Sequence, residues 1–250
     1  VFDSPEFNAR LFFPRPDRGP PPPGARDLFV DVPGARLHLR WHTAATPARA
    51  VVLLFHGNGE VVADYDDLAD HYAAAGAELV VVDFRGYGAS TGVPTLRAAI
   101  ADAAPTLAAV RAATRLPVVV MGRSLGSACA AELYRQRPAG VVGVILESGA
   151  SDLAGLVRRR GLPVPHAFSA DDRATFDPLP KLAAGDLPLL VLHGADDELI
   201  DPAEARAAHA HAGAAHKQLV FIPDRGHNDL GLAPAYWQAL ATFLAGLGSP

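Results

Sequence analysis

The sequence predicts an α/β protein built on a mostly parallel sheet. Three observations carry this: six continuous apolar runs, segments of helical character between them, and an alternating stretch ahead of them. The runs are VVLLF (51–55), ELVVVD (78–83), PVVVM (117–121), VVGVIL (141–146), PLLVL (188–192) and QLVFI (218–222). Runs that do not alternate with polar residues mark strands covered on both faces. Helices are predicted over 64–75, 95–113, 125–137, 202–212 and 234–247. Strand alternating with helix requires right-handed crossovers, which place helices on both faces of the sheet. Residues 28–32 and 36–41 alternate apolar and polar side chains around Pro33-Gly34, as two antiparallel strands joined by a tight turn would. Eight strands are therefore expected.

Residues 1–26 contain Phe-Phe-Pro, Gly19 and the run Pro20 to Pro23, which predicts an extended arm on the surface. The remainder, 27–250, reads as a single domain without internal repeats. Segment 150–185 separates two strands by far more than an ordinary connection and is expected to form a small cap over a site. Its Arg158-Arg159-Arg160 triplet is expected on a solvated face.

Composition narrows the function classes. Half of the 250 residues are hydrophobic and 20% are charged, which excludes a charge-rich disordered chain. With 22 Lys and Arg against 27 Asp and Glu, the net charge of -5 offers no field for phosphate backbones, so no nucleic-acid partner is expected. The single cysteine, Cys129, can form neither an internal disulfide nor a metal cluster, and no metal or cofactor is expected. No apolar run approaches the ~20 residues of a membrane span. Cysteine usage fits a cytoplasmic protein, although a start at Val1 rather than Met leaves room for a leader or anchor ahead of it. Nothing in the sequence sets an oligomeric state.

In an open parallel sheet, ligands meet the carboxyl ends of the strands. After 117–121 comes Gly122-Arg123-Ser124-Leu125-Gly126, a G-x-S-x-G at a strand-to-helix turn so tight that side chains flanking Ser124 would collide with neighbouring backbone. Ser124 is the candidate nucleophile, and a serine hydroxyl needs a base. Of ten histidines, His38, His42, His209, His211 and His216 read as solvated. His227 follows the last run in a loop above the sheet edge and is the candidate base. The acid that orients an imidazole should follow the run at 188–192, where Asp196 and Asp197 both qualify by spacing, with Glu147 and Asp152 as outside possibilities. His56-Gly57-Asn58-Gly59-Glu60 can turn backbone N–H groups into one concavity with that of Leu125, to hold an oxyanion. Cys129 lies in the helix after Ser124, where a small buried residue belongs. Neither G-x-G-x-x-G nor a P-loop occurs, which argues against a nucleotide-binding protein.

HGNGE (56–60), DFRGYGAS (83–90), GRSLGS (122–127), HGADDELI (193–200) and GHND (226–229) together resemble the α/β-hydrolase superfamily from about Arg26 to Leu247. The chain is most similar to small serine hydrolases with a His-Gly-Asn-Gly loop, esterases and depalmitoylases among them. The resemblance implies an α/β-hydrolase fold with strand order 1-2-4-3-5-6-7-8 and the first strands antiparallel. It implies Ser124 as nucleophile, His227 as base, Asp197 rather than Asp196 as acid, and the backbone N–H groups of Asn58 and Leu125 as the oxyanion hole. The expected activity is hydrolysis of a small carboxylic ester or thioester, with a short or medium acyl chain to suit a modest cap. A peptidase on the same residues, or a non-catalytic protein that captures a small apolar ligand, are the alternatives. No role for Arg123 follows from the sequence.

Overall fold

The computed structural model describes residues 1–247. Its strands are β1 (Ala25–Val32), β2 (Ala35–His42), β3 (Ala50–Phe55), β4 (Ala77–Val82), β5 (Val118–Arg123), β6 (Val141–Glu147), β7 (Leu189–Gly194) and β8 (Lys217–Ile222). They form one sheet in the order β1-β2-β4-β3-β5-β6-β7-β8. β2 pairs antiparallel with both β1 and β4, and every later pairing is parallel. This is the strand order that the resemblance implies. The helices are α1 (Pro5–Leu11), α2 (Ala69–Ala74), α3 (Leu96–Ala113), α4 (Ser127–Gln136), α5 (Leu153–Arg158), α6 (Ala170–Phe176), α7 (Pro178–Ala184), α8 (Pro202–His211) and α9 (Pro234–Gly246).

The continuous apolar runs serve two cores at once, because successive strand side chains point to opposite faces. From β3, Val51, Leu53 and Phe55 join the layer under α3 and α4, with Ala103, Leu107 and Leu133. Val52 and Leu54 join the opposite layer, with Tyr72 of α2 and Tyr236, Leu240 and Phe243 of α9. A polar residue at any of these positions would be stranded without water. β8 departs from the expectation of strands buried on both faces. It is the sheet edge and is only half-buried, with the Arg206 guanidinium 4.3 Å from the Phe221 ring centroid.

The N-terminal residues differ from the expected extended arm. Ser4 Oγ accepts the Phe7 N–H at 3.1 Å and Pro5 occupies the first turn, so a short helix starts where an N-cap and a proline with preset φ coincide. Phe2, Phe7 and Leu11 have no exposed surface. Asn8 Oδ1 accepts the Leu96 N–H at 2.8 Å, so α1 supplies an acceptor to the first turn of α3. The proline run at 20–23 does follow as irregular chain, with Pro20 and Pro23 exposed and Pro21 and Pro22 half-buried.

Segment 150–185, expected to form a small cap, contains the three short helices α5, α6 and α7. α7 packs on α4, with the ammonium of the buried Lys181 2.9 Å from Glu132. Phe168 and Phe176 sit against Phe2 at centroid distances of 5.6 and 4.7 Å, joining this segment to the N-terminal residues. No helix among the described residues is long and apolar enough to cross a membrane.

Candidate active site

β5 delivers Ser124 onto a turn whose tightness is measurable. A Cβ on Gly126 would lie 1.9 Å from the Phe55 carbonyl oxygen, and one on Gly122 would lie 2.4 Å from the Gly126 carbonyl oxygen. These contacts are with backbone, so they cannot be relieved by a rotamer change. Ser124 itself is held at φ +50°, an uncommon conformation for a residue with a side chain, and its half-buried hydroxyl faces a cleft.

β7 and β8 carry the other two groups. A Cβ on Gly194 would lie 2.3 Å from the Gly226 carbonyl oxygen, so glycine at the end of β7 lets the loop after β8 close on the turn after β7. The Asp196 N–H donates to the Arg225 carbonyl at 2.9 Å and the Ala195 N–H to that of Ile222 at 2.9 Å, which stitches the two together. His227 Nδ1 is 2.8 Å from Asp197 Oδ2, and His227 Nε2 is 2.9 Å from Ser124 Oγ. A carboxylate only accepts, so Nδ1 carries the proton and donates to Asp197, leaving Nε2 to accept from the Ser124 hydroxyl.

Asp197 Oδ1 accepts the N–H groups of Leu199 and Ile200, each at 2.9 Å. Burial alone would raise the Asp197 carboxyl, but the hydrogen bonds from His227 and the Ile200 N–H outweigh it and hold the acid below its ordinary range. Asp196 is exposed. The outside candidates have other partners. Glu147 accepts from the Tyr236 hydroxyl at 2.7 Å, and Asp152 caps α5 through the Ala154 N–H at 2.9 Å.

Asn58 and Leu125 line the same cleft as Ser124. The Asn58 side chain is tied to the N-terminal residues: its Oδ1 accepts from the Phe13 N–H at 3.1 Å and from the Tyr87 hydroxyl at 2.7 Å. The loop that carries the Asn58 N–H is therefore braced by residues expected to form an extended arm on the surface. The signal for that helix was present, in Ser4-Pro5-Glu6 followed by Phe7 and Leu11 one turn apart.

Arg123 emerges as a cross-brace. It is buried beside Ser124 and pairs with Glu60 of the 56–60 loop. Its Nη2 donates to the His227 carbonyl at 3.1 Å and to Asn228 Oδ1 at 2.6 Å, while its Nε lies 3.8 Å from Glu147. Glu60 in turn accepts the Gly57 N–H and the Tyr65 hydroxyl, each at 2.7 Å. One guanidinium thus joins the Ser124 turn, the 56–60 loop and the His227 loop. No spacing signal could have paired residues that lie so far apart in the chain.

His38 and His42, expected on the surface, are buried. His38 Nδ1 is 2.8 Å from Asp83 Oδ2, and His56 and the Val62 N–H approach Asp83 Oδ1 at 3.5 and 3.0 Å. This network ties the middle of β2 to the residues that follow β3 and β4. His211 and His216 are exposed as expected, and His209 is half-buried. Cys129 is buried in α4 with Sγ 3.2 Å from the Ala99 carbonyl oxygen. Of the arginine triplet, Arg158 is exposed, but Arg159 and Arg160 turn inward and line the cleft. Among the described residues, no three His, Cys, Asp or Glu side chains are grouped to hold a metal ion.

Residues 46–170 match the family model described as serine aminopeptidase, S33. The chain is 27% identical over 215 residues to protein bem46 of Schizosaccharomyces pombe, an alignment that covers 83% of this chain and 71% of that protein. Two solved structures share the fold. The esterase Pf2001 of Pyrococcus furiosus superposes with a TM-score of 0.73 at 17% identity, covering 93% of this chain and 98% of that one. A soluble variant of monoglyceride lipase from Saccharomyces cerevisiae gives 0.69 at 17% identity, covering 89% and 96%.

Proposed function

The chain belongs to the α/β-hydrolase superfamily, in the family described as serine aminopeptidase, S33, and from that premise we propose that it is a serine hydrolase cleaving small carboxylic esters or thioesters through an acyl-enzyme. One observation carries the reading: an unbroken line of hydrogen-bond distances, 2.9 Å from Ser124 Oγ to His227 Nε2 and 2.8 Å from Nδ1 to Asp197. His227 takes the Ser124 proton as Oγ adds to the substrate carbonyl. Asp197 holds the ring in the tautomer that leaves Nε2 free to accept, and supports the imidazolium that forms. The N–H groups of Asn58 and Leu125 face the carbonyl oxygen as it becomes an oxyanion. The tetrahedral intermediate collapses, the leaving group departs with the proton from His227, and the acyl group stays on Ser124 Oγ. Water, deprotonated by His227, then releases the acid and restores the hydroxyl.

The lining favours esters over peptides with a free amino terminus. An aminopeptidase must meet the substrate ammonium with a carboxylate, and the acid of the cleft, Asp152, is already engaged by the Ala154 N–H and by Arg158 at 2.8 Å. The rest of the lining is largely aliphatic, from Leu11, Leu96, Leu153 and Leu156, and suits a short or medium acyl chain. The test is labelling by a fluorophosphonate together with turnover of p-nitrophenyl esters. Ser124→Ala should abolish both, and turnover that survives in Ser124→Ala rejects the mechanism.

A further inference from the structure

We propose that Arg159 and Arg160 form an anion subsite in the cleft beside Ser124, so that the natural substrate carries a two-oxygen anionic group, a carboxylate or a phosphate, near its scissile bond. The proposal rests on the serine-hydrolase reading and extends it from reaction to substrate class.

The two guanidiniums sit in a wall otherwise made mainly of aliphatic side chains. Arg159 spends one nitrogen on Glu204, with Nη1 to Oε1 at 2.7 Å. Its Nε and Nη2 are buried with no hydrogen-bond partner, and so is Nε of Arg160. Buried guanidinium donors without an acceptor are uncommon and costly. The Nε–Nη2 edge is the one that grips two oxygens side by side. Elsewhere in this chain Arg85 presents that edge to Asp102 at 2.7 and 2.7 Å, and Arg40 presents it to Asp27 at 2.9 and 3.3 Å.

Local carboxylates do not balance the pair. Glu204 also accepts the N–H groups of Ser151 at 2.7 Å and Asp152 at 2.9 Å, and Asp152 turns to Arg158. Among the described residues, Arg160 has no carboxylate within ion-pair distance. Burial, and then the charge of Arg159, push the Arg160 guanidinium below its ordinary range. Two cations held together in a partly dry cleft repel, and an anion between them relieves both that repulsion and the missing hydrogen bonds.

The experiment compares kcat/KM within matched pairs. p-Nitrophenyl glutarate monoester against p-nitrophenyl valerate places the charge on the acyl side. 4-Acetoxybenzoate and 4-acetoxyphenyl phosphate, each against phenyl acetate, place it on the leaving group and separate carboxylate from phosphate. At least one anionic substrate should be preferred by about tenfold or more, the size of one charge-assisted hydrogen bond. That ratio should collapse toward one in Arg160→Gln, which breaks no ion pair, and in Arg159→Gln. Ratios at or below one in every pair, or a preference that survives both substitutions, would overturn the subsite. A second readout is independent of Ser124: glutarate or inorganic phosphate alone should raise Tm of the wild type and not of Arg160→Gln, and no shift with either would count against the subsite. Absent fluorophosphonate labelling beside an intact glutarate or phosphate shift would instead strike the catalytic reading and leave the subsite standing.

Discussion

Replacing Arg123 with methionine keeps an unbranched apolar stem and deletes the charge, which tests whether the guanidinium braces the site. Its partners are the buried Glu147 at 3.8 Å, the half-buried Glu60, Asn228 Oδ1 at 2.6 Å and the His227 carbonyl at 3.1 Å. Breaking a buried ion pair from one side costs about 3–5 kcal/mol, because the abandoned carboxylate stays in a poorly solvated place. In a domain of this size that corresponds to a fall in Tm of roughly 6–20 °C. The loss should depend on pH. Burial already raises the Glu147 carboxyl above its ordinary range, and Arg123 pulls it back; without Arg123 it rises further. A carboxyl with a raised folded pKa costs nothing when protonated in both states, and the cost grows as pH climbs from the ordinary carboxylate range to the folded value, above which it is complete. Each pH unit below that value returns about 1.4 kcal/mol. Urea unfolding at pH 5 and pH 8 should therefore show a larger penalty at pH 8, with kcat reduced as the His227 loop loses its anchor. Arg123→Lys should recover much of the stability while leaving kcat low, since one ammonium cannot span both loops. A penalty under about 1 kcal/mol at pH 8, or one that is equal at both pH values, would refute the bracing argument.

Three further expectations follow from the same contacts. Asp197→Asn should lower kcat by about 10⁴ while Asp196→Asn changes it little; the reverse pattern in steady-state assays would move the acid by one residue. The buried Asp83–His38 contact should make stability pH-dependent on both sides. Burial would raise Asp83, but hydrogen bonds from His38 and His56 hold it at about 2; Glu132 is likewise lowered to about 2 against its burial, by Arg135 and Lys181. Their contribution is present above the ordinary carboxylate range and is lost as pH falls toward 2. Burial would lower His38, but Asp83 and then Asp27 raise it above 6.5, so its share is complete below 6.5 and fades as pH rises through the folded value. Urea midpoints across pH should fall on both flanks, and His38→Gln should flatten the alkaline one. Cys129, whose thiol is pushed well up by burial, should resist a soluble thiol reagent until the protein unfolds, and rapid native labelling would contradict its placement.

The elements that the chain alone determined are those encoded over short stretches. The buried runs, the Gly122-Arg123-Ser124-Leu125-Gly126 turn and the placing of a serine, the Asp196-Asp197 pair and a histidine after successive strands are legible because strand periodicity and turn sterics act among near neighbours. Ser4-Pro5-Glu6 belonged to the same class, although the proline run behind it masked the signal. What the tertiary structure decided concerns which charges meet. Asp197 and not Asp196 turns toward an imidazole thirty residues on, and that imidazole lies 103 positions from the Ser124 hydroxyl it faces. Arg123 finds Glu60 and Asn228, His38 is buried against Asp83, and Arg159 and Arg160 turn inward rather than to solvent. Parallel strands joined by long crossovers bring such groups together only when the sheet closes, and a charged side chain has no periodicity to announce its partner. Its environment is a property of the assembled layers, which is why His38, Arg159 and Arg160 read as solvated in the sequence while packing turned them inward.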